Sequence, residues 1–538
     1  MHPARLTRRS PRTAFAPRSP RSYEHSSSAA LVGAHTRRPP RHAHGDIVVM
    51  HRPETLDLAR AEPTGLQIEH HSIDYIPESE RHAKLASQGP FWFLGNFHFF
   101  TISIGFVGPG MGLSAGWTTL AGALGIMFGT LFMAFHGSQG PEMGLPQMIQ
   151  SRAQFGYRGV IVALLATLFV FVGFNVVNVS LMVDGVHNVF GIDGGFVAVA
   201  AVAIGALLAI YGHDLMHRTF TWALFATLPL YALVTLALVF GHAAPSSAPV
   251  SSMPSGFNWV GFATQFAIAA SYNISYAPYV SDYSRYLPKQ TSRAKLIAVI
   301  FAGASLSGTW MIGLGAWLAQ KLHAADALVA MNDVGASLVP GLGKLIAFVS
   351  LVGFLPIIAL NAYSAMLTVL TGIDSIVPIK PTRRARVASI LAISTFVLAC
   401  VFAIRGNGIA LLQTFLTLML YFLVPWTAVN LVDYFFVRRG HYAIAHFFTP
   451  RGLYGAWQLR GILSYMIGFA SMVPFFYVFD AEVNREVFVG PFARMLGGVD
   501  IAWLVGLIVS GGVYWLLSRS LDLDRERSVI AETPAIDA

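Results

Sequence analysis

Long apolar runs separated by short polar loops dominate the chain from about residue 90 onwards. A helix crossing the hydrocarbon core of a bilayer takes about 20 mostly apolar residues. Twelve such runs lie at 91–112, 114–136, 159–183, 192–211, 220–240, 259–280, 296–320, 345–372, 386–404, 407–436, 461–479 and 501–518. Within each the apolar character is continuous, without the alternating, roughly ten-residue pattern of a membrane β-barrel strand. The expected fold is therefore all-α, a polytopic membrane protein with about twelve transmembrane helices. A largely disordered cytoplasmic segment, 1–87, precedes the transmembrane domain 88–518 in this reading, and a cytoplasmic tail, 519–538, follows it.

Two runs do not read as plain helices. The first carries Gly105-Phe106-Val107-Gly108-Pro109-Gly110-Met111-Gly112, four Gly and one Pro in eight residues, which disfavour an uninterrupted helix. The sixth carries Ser271-Tyr272-Asn273-Ile274-Ser275-Tyr276-Ala277-Pro278, a polar, Pro-interrupted stretch. These runs are five apart, the spacing of a five-plus-five inverted repeat, with discontinuous helices 1 and 6 and two extra helices appended. Helices broken near mid-membrane free backbone groups to bind a solute or ion, and Gly108 is the candidate backbone contact in the first. The competing use of Gly and Pro in membrane helices is kinking and close packing.

Composition and charge narrow the picture. The chain is 54% hydrophobic and 12% charged, against about 25% charged in soluble proteins, which excludes a soluble globular fold. Counting Lys and Arg between runs gives fifteen on the side of the N-terminus, from Arg152 to Arg460, and five on the other, Lys321, Lys344, Arg405, Arg485 and Arg494. Positive charge stays in the cytoplasm, so both termini are expected there, with the protein in the inner (plasma) membrane. Topology accounts for the net charge of +9, and no nucleic-acid partner is expected. The single cysteine, Cys400, rules out an internal disulfide framework. Residues 1–49 hold nine Arg, no Lys and only Glu24 and Asp46 as acids. The expectation is that translation starts at Met50, with a basic arm on the membrane surface as the rival reading.

Buried amides in hydrocarbon need partners, so polar residues inside the runs should face the bundle or a cavity. Run three offers Phe174, Asn175 and Asn178, run six Asn273 and Ser275, and run eight Pro356, Asn361, Tyr363 and Ser364. Phe174 and Asn178 share a helix face, an aromatic ring with an amide one turn on, which suits a flat heterocycle that stacks and pairs along its edge. An interhelical hydrogen bond is the plainer role for any one Asn. Ionisable groups in the runs are functional candidates: His98 for proton coupling, and Asp282 for a local ion pair with Arg285 or a gate contact.

The loop Gly144-Leu145-Pro146-Gln147-Met148-Ile149-Gln150-Ser151-Arg152-Ala153-Gln154-Phe155-Gly156-Tyr157-Arg158-Gly159 is distinctive. With Ala277-Pro278-Tyr279-Val280-Ser281-Asp282-Tyr283-Ser284-Arg285-Tyr286-Leu287-Pro288 and Val432-Asp433-Tyr434-Phe435-Phe436-Val437-Arg438-Arg439, it resembles the purine-cytosine permease branch of the nucleobase:cation symporter-1 family. The resemblance runs from about 88 to 518. It implies alternating access to one site between helices 1, 3, 6 and 8. The substrate contacts it implies are Phe174, where relatives often have Trp, with Asn178, Ser275 and Asn361, and Asn273 near a position often aromatic. Sodium-coupled relatives place hydroxyl residues before the helix-eight Asn, whereas Gly353–Leu360 here has none. That favours H+ over Na+ as coupling ion, although Ser364 could restore an oxygen ligand. The expected function is import of cytosine or a purine, with uracil, allantoin, hydantoins or thiamine as alternatives and a passive channel or sensor as a further one. No enzyme chemistry and no cofactor are expected, since the runs hold no acid pair, His-Glu metal cluster or activated Ser.

Overall fold

The computed structural model describes residues 71–241, 256–324, 326–379, 382–404, 408–480 and 485–533. The expectations about Met50 and a basic N-terminal arm lie outside these residues. Helices stand at all twelve expected positions. Span 1 is the pair Leu85–Asn96 and Phe99–Gly110, span 2 Ala115–Gly137, span 3 Ile161–Phe190, span 4 Gly194–Tyr211, span 5 His213–Val239 and span 6 the pair Trp259–Ile274 and Ala277–Ser284. Span 7 is Arg293–Leu322, span 8 Leu342–Ile376, span 9 Arg383–Ala403, span 10 Gly408–Val432, span 11 Leu459–Met472 and span 12 Ala502–Ser518. Among the described residues eight helices are individually long and apolar enough to cross a membrane; spans 1 and 6 are each in two pieces, and 11 and 12 are shorter.

Packing between spans follows a rule. Span 1 lies on 7 and 6 on 2; span 4 on 8 and 9 on 3; span 5 on 8 and 10 on 3; span 1 on 5 and 6 on 10. Each second pairing is the first with every number exchanged for its partner five away, a pattern consistent with the five-plus-five repeat. Between spans 7 and 8 a short helix, Ala327–Leu338, occupies the place that three one-turn helices, Gly140–Met143, Gln147–Gln150 and Arg152–Phe155, take between spans 2 and 3. A two-stranded antiparallel hairpin, Tyr477–Asp480 with Arg485–Val489, joins spans 11 and 12.

The expected interruption of span 1 is present at Gly105 and Phe106, between Phe99–Ile104 and Val107–Gly110, but the sharp bend falls seven residues earlier, at Phe97 and His98, where the two pieces meet at 52°. The glycines also allow close packing: a Cβ on Gly105 would lie 2.3 Å from the Ile312 carbonyl oxygen, and one on Gly108 would strike Thr118. Pro109 is tolerated in the first turn of Val107–Gly110, where its missing N–H is not needed. Span 6 breaks where expected, at Ser275 and Tyr276.

The basic loops gather at one end of the bundle, and the segment before span 1 is packed there. Ile73 and Ile76 are buried. Arg285 donates to the Ser72 carbonyl (2.8 Å) and Arg386 to that of His71 (2.6 Å), while the Ile76 N–H donates to Gly144 (3.0 Å). Residues 71–84 therefore form a strap across the basic end. The tail is likewise structured, as the helix Leu523–Glu532, which docks through Glu526 on Arg438 (2.9 Å).

Candidate substrate site

The breaks in spans 1 and 6 face each other. Where span 1 leaves helical geometry, its Gly95 carbonyl accepts from the Tyr276 hydroxyl (2.5 Å) and from His98 Nε2 (2.9 Å), with the Tyr272 hydroxyl at 3.2 Å. Thr101 donates to the Tyr272 oxygen (3.1 Å), and the Tyr272 and Tyr276 hydroxyls are 3.0 Å apart. Two tyrosines four residues apart in span 6 thus satisfy a backbone group that the bend in span 1 releases, as buried backbone requires.

Span 3 brings an aromatic side chain against this junction. The Phe174 ring meets Phe100 of span 1 at 5.7 Å, Tyr272 at 6.1 Å and Phe415 of span 10 at 5.2 Å between centroids. Phe100 in turn stacks on Tyr272 at 5.3 Å and 29°. One turn along span 3, Asn178 is buried with its Nδ2 unpartnered. Asn175 donates to the Ile358 carbonyl (3.1 Å) and accepts from Asn361 Nδ2 (3.2 Å), which leaves Asn361 Oδ1 without a donor. Spans 3 and 8 therefore carry one unused donor and one unused acceptor beside an aromatic cluster. Buried polar atoms are rarely left so, and a planar heterocycle with N–H and C=O groups along its edge supplies what both lack.

A match to the family model described as permease for cytosine/purines, uracil, thiamine, allantoin extends over residues 75–506. The chain belongs to this permease family. A putative purine-cytosine permease of Bacillus subtilis is 33% identical over 460 residues, 84% of this permease and 96% of the relative. The purine-cytosine permease fcyB of Emericella nidulans is 24% identical over 473 residues, 84% and 88% of the two chains. In fold the permease is similar to Mhp1, a nucleobase-cation-symport-1 family transporter solved in a closed conformation with bromovinylhydantoin bound, with a TM-score of 0.67 at 16% identity over 87% of this chain and 100% of that one.

The remaining candidates in the permease fall into other settings. Asn273 accepts from Asn96 (3.0 Å) and donates to Thr130 (2.5 Å), so both ends of its amide tie spans 1, 2 and 6 together. The aromatic beside it is Tyr272. Ser275 donates back to the Tyr272 carbonyl. The Gly108 N–H donates to Gln265 Oε1 (2.9 Å), anchoring the far half of span 1 to span 6. Asp282 and Ser364 do meet, at 2.9 Å, and the other Asp282 oxygen accepts from the Gln147 N–H (3.0 Å). That places both in a contact of spans 6 and 8 with the loop after span 2. The Arg285 Nε reaches the Asp282 carbonyl (3.2 Å).

The distinctive loop has a structural reason. Arg152 donates to Asp374 of span 8 (2.8 Å), Gln139 to Asn430 of span 10 (2.9 Å) and Gln154 to Asp433 (2.6 Å), so the loop joins spans 6, 8 and 10 at the basic end. Among the described residues no group of three or more His, Cys, Asp or Glu could hold a metal ion. Phe100, Thr101, Tyr272 and Tyr276 were not singled out from the sequence. The signal was the spacing of the two tyrosines across the span 6 break.

Proposed function

We propose that this permease imports a nucleobase, cytosine or a purine, by secondary transport coupled to a proton. Its basic end and both termini then lie in the cytoplasm, with the transmembrane domain in the plasma membrane. The observation that carries the reading is the meeting of Phe174 with the two broken spans: a ring for stacking, beside the unused Asn178 donor and Asn361 acceptor. Cytosine and the purines present a flat π-face together with ring N–H or amino donors and carbonyl or ring-nitrogen acceptors. The names of the relatives, purine-cytosine permeases in a bacterium and a fungus, support the same substrate class. Solute and proton act by favouring the closed state through their greater affinity for it.

The test is uptake of labelled cytosine, adenine, hypoxanthine, uracil and allantoin by transporter-deficient cells expressing the permease, with and without sodium and with a protonophore. Saturable uptake of cytosine or a purine that persists without sodium and collapses with the protonophore is expected. Uptake of uracil or allantoin alone overturns the substrate assignment, and dependence on sodium overturns the coupling.

A further inference from the structure

His98 stands in the break of span 1 and is 2% exposed. Its Nε2 lies 2.9 Å from the Gly95 carbonyl. A carbonyl only accepts, so the ring proton of the neutral imidazole is on Nε2, and Nδ1 carries the lone pair. Nδ1 has no hydrogen-bond partner. The ring packs on Phe354 of span 8 at 4.9 Å and lies 6.2 Å from Phe100, and its Nε2 is 3.2 Å from the Tyr272 hydroxyl. The imidazole thus sits where spans 1, 6 and 8 meet, one contact from the aromatic cluster around Phe174.

The groups facing it are few. Span 6 presents the phenols of Tyr272 and Tyr276, span 8 presents Phe354, and span 1 itself presents Phe100 and the Gly95 carbonyl. Among the described residues no carboxylate bonds to His98, and the nearest acid named on span 6, Asp282, is bonded to Gln147 and Ser364. A proton arriving at Nδ1 therefore creates a buried cation with a new N–H donor and no acceptor for it, which is costly. A bound base changes that balance, because its carbonyl oxygen or unprotonated ring nitrogen is an acceptor.

Resting on the nucleobase reading above, we propose that His98 Nδ1 carries the co-transported proton and that the bound base accepts a hydrogen bond from it. Each ligand supplies what the other lacks, so base and proton bind cooperatively, and by linkage the effect is reciprocal. The step is balanced: one proton from the outer water joins the Nδ1 lone pair as the base binds, and the same proton leaves to the cytoplasm when the base departs. Import of one neutral base then moves one positive charge inward.

The experiment uses the full chain, purified and reconstituted, with cytosine and adenine as probes. In the wild type, base affinity falls as pH rises, by about tenfold per pH unit above the pH at which the empty site loses its proton, and binding takes up one proton per base. His98→Gln keeps a donor for the Gly95 carbonyl and cannot hold a proton. Having lost the Nδ1 donor to the base, it is expected to bind base more weakly, with a flat pH profile of affinity and no accumulation driven by a pH gradient. A structural role alone leaves the slope in place, so a His98→Gln protein that still shows the wild-type slope and gradient-driven accumulation overturns the proposal. Should that variant fail to insert, His98→Asn is read the same way. Base binding by the wild type without proton uptake overturns the proposal whatever the variants do, whereas a wild type that binds no base overturns the substrate reading.

Discussion

Asp433 at the basic end and Asn361 in the middle of span 8 are both buried polar side chains in a protein made mostly of apolar residues. Asp433 accepts from Arg438 (2.6 Å), Gln154 (2.6 Å), Tyr442 (2.8 Å) and Tyr514 (2.9 Å). Arg438 donates also to both oxygens of Glu526, at 2.9 and 3.0 Å, and to the Tyr514 hydroxyl (3.4 Å). Spans 10 and 12, the loop after span 2 and the tail helix are held together in this way. Asn361 gives one hydrogen bond to Asn175 and has nothing on Oδ1. The difference separates a cluster whose carboxylate is fully engaged in holding helices from an amide pair with hydrogen-bonding capacity left over beside an aromatic cluster.

The largest expected effect comes from breaking the saturated end. Arg438→Ala leaves Asp433 and Glu526 without their cation, and removing one partner of a buried pair costs about 3–5 kcal/mol. Thermal unfolding in detergent should drop sharply while the affinity of the surviving folded protein for base stays near wild type. Weakened base binding without a change in unfolding would undo the division between the two regions.

Phe174→Leu acts on the other side of the comparison. It keeps apolar bulk and removes the ring face, and stacking of a base on an aromatic contributes about 1–3 kcal/mol. Equilibrium binding should weaken by roughly 5- to 150-fold, with a smaller change in melting, since Leu keeps most of the buried apolar bulk and leaves only a small cavity. Unchanged affinity in a normally inserted protein removes Phe174 from the site.

Asn178→Leu sharpens the contrast, because its two effects should have opposite sign. The unpartnered Nδ2 is a cost in the empty protein, and replacing it by an apolar group is neutral or stabilising, whereas the base loses a hydrogen bond of about 0.5–1.5 kcal/mol. A melting temperature that is level or raised, with affinity down about two- to tenfold, is the expected pair of results. A large loss of stability would return Asn178 to a packing role.

The spans were legible in the sequence because each is a long apolar run, and so was the break at Ser275, where polar residues and Pro278 interrupt one. The break at His98 was not. Phe97-His98-Phe99 reads as ordinary apolar helix, and its departure is stabilised by Tyr272 and Tyr276, which are 174 and 178 positions further along and become neighbours only on folding. The Gly-Pro run marks the gentler interruption at Gly105 and Phe106, and its small residues serve close packing as well. Phe174, Asn175 and Asn361 could be picked out as polar or aromatic oddities in apolar runs. Which amide is spent on a helix contact, as Asn273 is on Thr130, depends on distances that no spacing encodes.

The smallest expected effect lies in the strap. His71 sits between Asp74 (3.2 Å) and Glu80 (2.6 Å), and its hydrogen bond to Asp74, aided by Glu80 against the desolvation of burial, raises its pKa above 6.5. A raised folded-state pKa means that the protonated ring stabilises the strap fully below 6.5 and that this contribution is lost as pH rises through the raised value. The His71 carbonyl and that of Ser72 are the acceptors that Arg386 and Arg285 hold, so loosening the ring contacts loosens the docking of residues 71–84. Because Glu80 is 55% exposed, solvent and salt screen the pair and the effect is small. Hydrogen exchange at the Ile76 and Ala83 amides, corrected for its intrinsic pH dependence, should quicken between about pH 6 and 8, less so at high salt. His71→Gln should abolish that change, and identical pH profiles in the two proteins would show that the strap is held by its backbone contacts alone.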